Sequence, residues 1–536
     1  MCAPSNRKSC LADWTSVTTE LLLGGRIYTP TSTTATAIAV ENGVISWIGE
    51  DRAARALHPD ARVTDLDGAF VAPAFVDTHV HLTATGLALT GPDLYGGPEA
   101  VRAALAATPG ETVIARGWDD TTWEGPLRRT DLDESRVVYA ARVDEHSAQA
   151  STALRALVPG LEELAGFSPD GPLTAAAHHA VRAAALAALS NAQITAAQTA
   201  ALDAAAAAGI AAVHECGGPE IAGERDFTLL GALDHGVRVR RYWGEAALDA
   251  DHARALIYRT GADGLAGDLF VDGSLGSRTA LLHAPYADAP SNGVAYLDQE
   301  TVTAHVLACT RARIQAGFHA IGDAAVARVV AAFAAAVDAF GGPRVASCGH
   351  RVEHAEMVTP DEAAKLGDWG VNASMQPQFD ALWGGPDGMY ARRLGPERAA
   401  ALNDFALLAK NAVPLAFSSD SPVTPLDPWA TLRAAVQHHT PGSAISPRAA
   451  FAAATRGAWR AGGVRDGVAG TLVPGAPATF AVWDADELVV RAPSDAVQRW
   501  STDPRAGVAP LPDLAPGARL PRCLRTVVDG RTVFAA

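Results

Sequence analysis

Eight short apolar runs, separated by alanine-rich stretches of helical pattern, constrain this chain more than any other feature. They cover residues 75–81, 210–214, 237–243, 269–272, 317–321, 351–354, 371–376 and 415–420. The intervals hold helical patterns such as 323–340 and 447–458, the second with Ser446 placed as its N-cap and Pro447 at its first position. Strands joined by crossover helices predict an α/β fold with a parallel sheet, and eight of them predict a (β/α)8 TIM-like barrel. In such a barrel the functional groups gather where the strands end.

The interval between the first and second runs is far too long for a crossover. It contains strand-like segments of its own at 113–116 and 137–140, so residues 86–200 read as an inserted subdomain covering the barrel mouth. Both chain ends carry a different signature. Residues 37–49 form a hairpin pattern around Asn42-Gly43, and 524–534 form another around Asp529-Gly530. Neither end has enough strands to stand alone, so together they predict one small β-sandwich. The expected organisation is a polar tail at 1–18, sandwich strands at 19–73, the barrel with its insertion at 74–470, and the remaining sandwich strands at 471–536.

The chemistry sits at the ends of the runs. His79 and His81 are two apart on the first, so their side chains point the same way, with Asp77 beside them. Two such histidines form half of a metal site or, more plainly, two hydrogen-bonded side chains. His319 on the fifth run, His354 on the sixth and Asp420 on the eighth occupy equivalent tips. Four imidazoles and a carboxylate meeting at one point suit zinc, and also iron, manganese or cobalt. A divalent metal with an open position lowers the pKa of water to about 7. Asp420, the one carboxylate of the five, is the natural proton shuttle from that water to a leaving nitrogen. Asp77 and Glu353, beside the histidines, and Asp272 and Asp323, after the fourth and fifth runs, are placed to orient the ligands from behind.

The ordered set Asp77-Thr78-His79-Val80-His81, His319-Ala320-Ile321-Gly322-Asp323, Glu353-His354 and Ser419-Asp420-Ser421-Pro422 resembles the metal-dependent amidohydrolase superfamily. The run 272–280, Asp-Gly-Ser-Leu-Gly-Ser-Arg-Thr-Ala, is similar to the branch holding N-substituted formamide deformylase and YtcJ-like proteins. So are Arg116-Gly117-Trp118-Asp119, Asp144-Glu145-His146-Ser147 and Gly470-Thr471-Leu472-Val473-Pro474-Gly475. The resemblance covers about residues 19–536 and implies hydrolysis of a non-peptide C–N bond, in an amide or N-substituted formamide. Relatives often carry a lysine four residues before the Asp-Gly of strand four, carbamylated and bridging two metals. Asp268 stands there instead, as a carboxylate ligand or a solvated residue, and the expectation is one metal per chain, zinc before others. Ala74 replaces a usual glycine, and Glu215 a usual aspartate.

Trp118, His146 and Arg278 lie in segments able to close over the metal and are candidate substrate contacts. Each has a plainer role available: packing the insertion, capping a helix, or pairing with a surface acid. Two other functions fit the same residues, deamination of an amidine or aminated ring and a non-catalytic scaffold. A net charge of −16 disfavours nucleic acid and anionic membranes as partners. A small amide-type molecule is the expected partner, and a homo-oligomer is compatible with the chain. The six cysteines form no C-x-x-C pair, and residues 1–18 show no signal-peptide core, so the cytoplasm is the expected location.

Overall fold

The computed structural model describes residues 19–121, 123, 125, 127–490 and 509–536. The predicted tail at 1–18, with Cys2 and Cys10, lies outside them. At the centre are two parallel sheets. One holds Phe75–Val80, Ile210–Gly217 and Arg238–Trp243; the other holds Gly317–Ala320, Arg351–His354, Asn372–Met375 and Leu415–Phe417. Isolated parallel bridges join them. Val80 pairs with Ser421 on one side, and Tyr242–Gly264, Leu265–Ala316 and Phe270–His319 connect on the other. The predicted fourth strand, 269–272, is reduced to that single bridge at Phe270, with the backbone of His319 accepting from Val271 and donating to Leu269. Residues 418–420, predicted as strand, lie beyond the end of Leu415–Phe417: Ser418 and Asp420 N–H donate to Met375 O and His79 O, while Ser419 N–H goes to the Asp77 carboxylate at 3.1 Å.

Phe75 anchors the first strand among the rings of Trp429, Phe451 and Trp483, with centroids 5.1, 5.5 and 5.7 Å away. Alanine-rich helices cover the sheets. Asp323–Phe340 forms over its predicted span, and the second predicted helix begins at Pro447 with Ser446 accepting from Ala449 N, then loosens into a π-helical turn at Ala453–Gly457.

The insertion builds a four-stranded sheet from Thr112–Trp118, Val137–Arg142, Ser147–Ala150 and Leu173–Thr174. Helix Asn191–Ala207 then leads the chain back to the central sheet. The chain ends form two further sheets. One contains Thr19–Leu23, Ala37–Glu41, Val44–Gly49 and Arg62–Asp65. The other contains Arg26–Ile27, Phe70–Pro73, Phe480–Asp484, Arg522–Val528 and Arg531–Ala535. A single apolar cluster draws on both, with Leu22, Ile38 and Ile45 from one and Val71, Phe480 and Val527 from the other. Among the described residues no single helix is long and apolar enough to cross a membrane.

Candidate metal centre

The strand ends bring His79, His81, His319, His354 and Asp420 to one place, all buried. Nε2 of His79 and Nε2 of His81 lie 3.4 and 3.3 Å from Asp420 Oδ1. The group has a sixth member. Asp268 is not solvated at a strand start; it is 5 % exposed and sits in the middle. Its Oδ1 is 3.3 Å from His79 Nε2, 3.5 Å from His319 Nδ1 and 3.9 Å from His354 Nε2, and its Oδ2 is 3.1 Å from His81 Nε2. Two compact triads share this carboxylate, His79–His81–Asp268 and Asp268–His319–His354.

In three of the four histidines the other ring nitrogen is engaged away from the centre, which fixes where the free one points, while His81 Nδ1 is buried without a hydrogen-bond partner. His79 Nδ1 is held by Glu353 Oε2 at 3.1 Å, His354 Nδ1 by Gln376 Oε1 at 2.9 Å, and His319 Nε2 by Gly273 O at 3.2 Å. Glu353 is itself clamped by the buried Arg351 guanidinium, which also donates to Thr78 O at 2.7 Å. Despite burial, Arg351 holds the Glu353 carboxyl down to about 2. His354 and Asp420 both adopt left-handed backbone, φ +69° and +55°, and so does Ala355 at +47°. Such conformations in non-glycine residues cost about 1–3 kcal/mol each and persist only where the surroundings enforce them.

Four converging atoms, His79 Nε2, His319 Nδ1, Asp268 Oδ1 and Asp420 Oδ1, are buried without a hydrogen-bond partner. Buried polar atoms left unpaired are expensive. Nitrogen and carboxylate oxygen aimed at a shared point are the donor set of a divalent cation, so the residues fit one.

Other predicted residues fall in three places. Asp77 accepts from the Ser419 and His79 N–H groups and so holds two ligand-bearing segments together. Asp272 accepts from Leu281, Ile321 and Gly322 N–H, behind His319, and burial pushes its carboxyl up to about 7. His146 lines the cavity, with its ring centroid 5.0 Å from that of His319 and 5.5 Å from that of Phe270. Three assignments are corrected. Trp118 is fully buried in the insertion, donating to Ala140 O at 2.9 Å, and does not face the cavity. Arg278 turns outward to Asp288, 2.8 Å away. Asp323 accepts from His283 and Ala324 N–H, tying down a loop rather than orienting a ligand. Sequence reasoning passed over Arg351, although it stands two before Glu353 on one strand face, and it underrated Asp268.

A cavity opens over the centre. Its outer wall comes from the insertion through Arg116, Glu145, His146 and Arg182. The loop after residue 272 ties that wall in place, since Ser274 and Ser277 donate to Asp144 Oδ2 at 2.7 and 2.8 Å. A second, smaller lobe shares Asp144, His146, His319, His354 and Asp420 with the first. Glu215 faces the first lobe and accepts Leu82 N–H at 2.7 Å. Cys216, behind His79, is a buried thiol pushed up to about 12 by burial, so it stays neutral and packs as a small apolar group.

The model of the Amidohydrolase family matches residues 62–534. Among curated proteins, LONG AFTER FAR-RED 3 of Arabidopsis thaliana is 28 % identical over 87 % of this chain and 88 % of its own. The protein called amidohydrolase YtcJ in Bacillus subtilis (strain 168) is 27 % identical over 77 % of this chain and 82 % of its own. Among solved structures, an uncharacterized metal-dependent hydrolase from Pyrococcus furiosus superposes with a TM-score of 0.68. It is 26 % identical and covers 87 % of this chain and 99 % of its own. One from Pyrococcus horikoshii OT3 gives 0.69 at 25 % identity, covering 88 % and 98 %.

Proposed function

Given that the chain belongs to the amidohydrolase family, a family with metal-dependent hydrolases among its structural neighbours, we propose that it hydrolyses a non-peptide C–N bond in an amide or N-substituted formamide. The observation that carries the reading is the convergence of His79, His81, His319, His354, Asp268 and Asp420 with four unpartnered donor atoms. A divalent cation there supplies Lewis acidity toward a carbonyl oxygen and makes water a usable nucleophile near neutral pH. Zinc suits the nitrogen-rich donor set. Asp268 belongs to both triads, so besides the single ion expected from the missing lysine its carboxylate would be available to a second.

In this reading Asp420 takes a proton from the attacking water as the new C–O bond forms. It then gives that proton to the nitrogen as the C–N bond breaks, so each turnover leaves one acid and one amine. Glu353 keeps His79 in one tautomer and one orientation, and Asp77 fixes Asp420 against the first strand. The insertion wall limits access of bulk water. The parallel bridges at Val80–Ser421 and around Leu265 support one closed (β/α)8 barrel, and the shared apolar cluster supports a β-sandwich made by the two chain ends beside it. The free thiols Cys216, Cys309, Cys348 and Cys523 support a reducing compartment, the cytoplasm.

The test is elemental analysis of the purified protein followed by a panel of N-acyl and N-formyl amines assayed for amine release. Amine without ammonia is the expected product. Ammonia from amidines or aminated rings, with no amide turned over, replaces this reading with deamination. A metal-loaded protein inert on both classes leaves the scaffold.

A further inference from the structure

Five arginines are buried among the described residues, and four of them meet a carboxylate. Arg351 meets Glu353, Arg116 meets Glu145, Arg142 meets Asp119, Asp120 and Asp144, and Arg393 meets Asp288. Arg182 does not. It projects from helix Ala175–Ala187 of the insertion, is 7 % exposed, and lines the larger lobe together with His81, Asp268 and His319. Its Nη2 donates to the backbone carbonyl of Glu220, and its Nε is buried without a partner. Of the acids around it, Glu145 pairs with Arg116, Asp144 with Arg142, and Glu215 accepts Leu82 N–H. Glu220 hydrogen-bonds His179 at 3.0 Å, and Arg182 helps to hold its half-exposed carboxyl down without an ion pair in contact. A buried guanidinium with no carboxylate in contact is costly, and a carboxylate is the partner its planar donor array fits best.

The second lobe is richer in apolar side chains. Leu275, Phe379, Trp383 and Met389 line it beside the polar Ser274 and Glu356, and it meets the first lobe at Asp144, His146, His319, His354 and Asp420. A molecule whose scissile carbonyl sits at His319, His354 and Asp420 therefore extends one arm toward Arg182 and the other into a chamber walled in large part by apolar side chains.

We propose that Arg182 anchors a carboxylate of the substrate, so that the bond cleaved belongs to an acid-bearing amide whose other arm is apolar. This names the substrate class of the hydrolase reading above and rests on it. The leaving fragment or the acyl fragment carries the acid; the two arrangements differ only in which side of the C–N bond faces Arg182.

A non-cleavable pair tests the anchor without turnover. 4-Oxo-4-phenylbutanoate places a carbonyl, a carboxylate and a phenyl arm as N-benzoylglycine does, and 4-oxo-4-phenylbutanamide is its uncharged counterpart. Calorimetric titration into the protein as purified is expected to show the acid binding roughly ten- to hundredfold more tightly than the amide, the worth of one buried charge-assisted contact. In Arg182→Ala that preference disappears while amide binding holds, and Arg182→Lys restores part of it. Equal binding of acid and amide by the unaltered protein, no binding of either, or an Arg182→Ala loss shared equally by both overturns the proposal. The acid–amide comparison stands even if the variants fail to fold. Acid preference without turnover of N-benzoylglycine or N-benzylsuccinamate would keep the anchor and remove the amide-hydrolase reading, so the two fail separately.

Discussion

Asp268 Oδ1 lies 3.3 Å from His79 Nε2 and is buried without a hydrogen-bond donor, although these residues stand on segments far apart in the chain. This carboxylate stands where the resemblance implied a lysine, and it reaches all four histidines. The consequence concerns stoichiometry. Elemental analysis of the unaltered protein should give two ions per chain, and Asp268→Ala should lose at least one of them. One ion per chain, unaffected by the substitution, would restore the mononuclear expectation.

Asp420 is argued to act on protons, whereas His79 only binds. Asp420→Asn keeps size and one oxygen, so its turnover should fall by about 10²–10⁴-fold while metal content changes little. His79→Ala should lose metal and turnover together. Parallel measurement of metal content and kcat in both variants checks the division. Equal turnover in Asp420→Asn and the unaltered protein refutes the shuttle.

Behind the ligands, Glu353 and Arg351 form a fully buried ion pair that also fixes His79 Nδ1. Glu353→Gln leaves the Arg351 charge buried and unmatched, a loss of about 3–5 kcal/mol where such pairs are broken from one side. It also loosens His79, which should weaken metal affinity by about 10–100-fold. Chemical denaturation and competition with a chelator measure the two effects. A variant that loses neither would show that Arg351 has another counter-charge.

Much of this site was legible because its parts are local. His79-Val80-His81, Glu353-His354 and Ser419-Asp420 each sit in a short apolar run whose strand character comes from neighbours in sequence. The hairpins at Asn42-Gly43 and Asp529-Gly530 were legible for the same reason, since both turns use two consecutive positive φ values. Asp268 was not, because a lone aspartate before a short run resembles a solvated residue until four histidines from distant strands surround it. The fourth strand shrank to one bridge because its residues have a ladder partner only on the His319 side, and Gly273 N–H turns to Thr279 O instead. Trp118 and Arg278 were misplaced because residue type and loop position do not reveal which way a side chain turns.

Two histidines remote from the centre predict how stability responds to acid. His305 Nδ1 accepts Ala247 N–H at 2.9 Å, and His350 Nδ1 accepts Ala316 N–H at 2.9 Å, so both are held neutral. Burial pushes them down to about 4 and about 3, with His305 adding to the effect on His350. Their unfolded values are higher, about 6.5, so the unfolded chain binds more protons in between. Their contribution is complete above about pH 6.5 and is lost as pH falls toward 4, on the order of 3 kcal/mol for each at that limit. Urea midpoints of His350→Gln and the unaltered protein, compared between about pH 7.5 and 5, should show a shallower acid slope in the variant. Parallel slopes would mean that His350 is not held neutral.

The last prediction concerns how the two chain ends are joined. The hairpin turns from opposite ends touch each other: a Cβ on Gly43 would come within 2.5 Å of Asp529 O, and one on Gly530 within 2.6 Å of Gly43 Cα. Both glycines also have positive φ, +79° in each case. Gly43→Ala and Gly530→Ala therefore combine backbone strain with loss of a close contact, and each should lower stability by about 1–3 kcal/mol. Since both substitutions open the same contact, the double variant should cost less than the two single losses added together. Urea denaturation of the three variants measures the coupling. Strict additivity would show that the turns strain independently and that the contact between them does not hold the ends of the chain together.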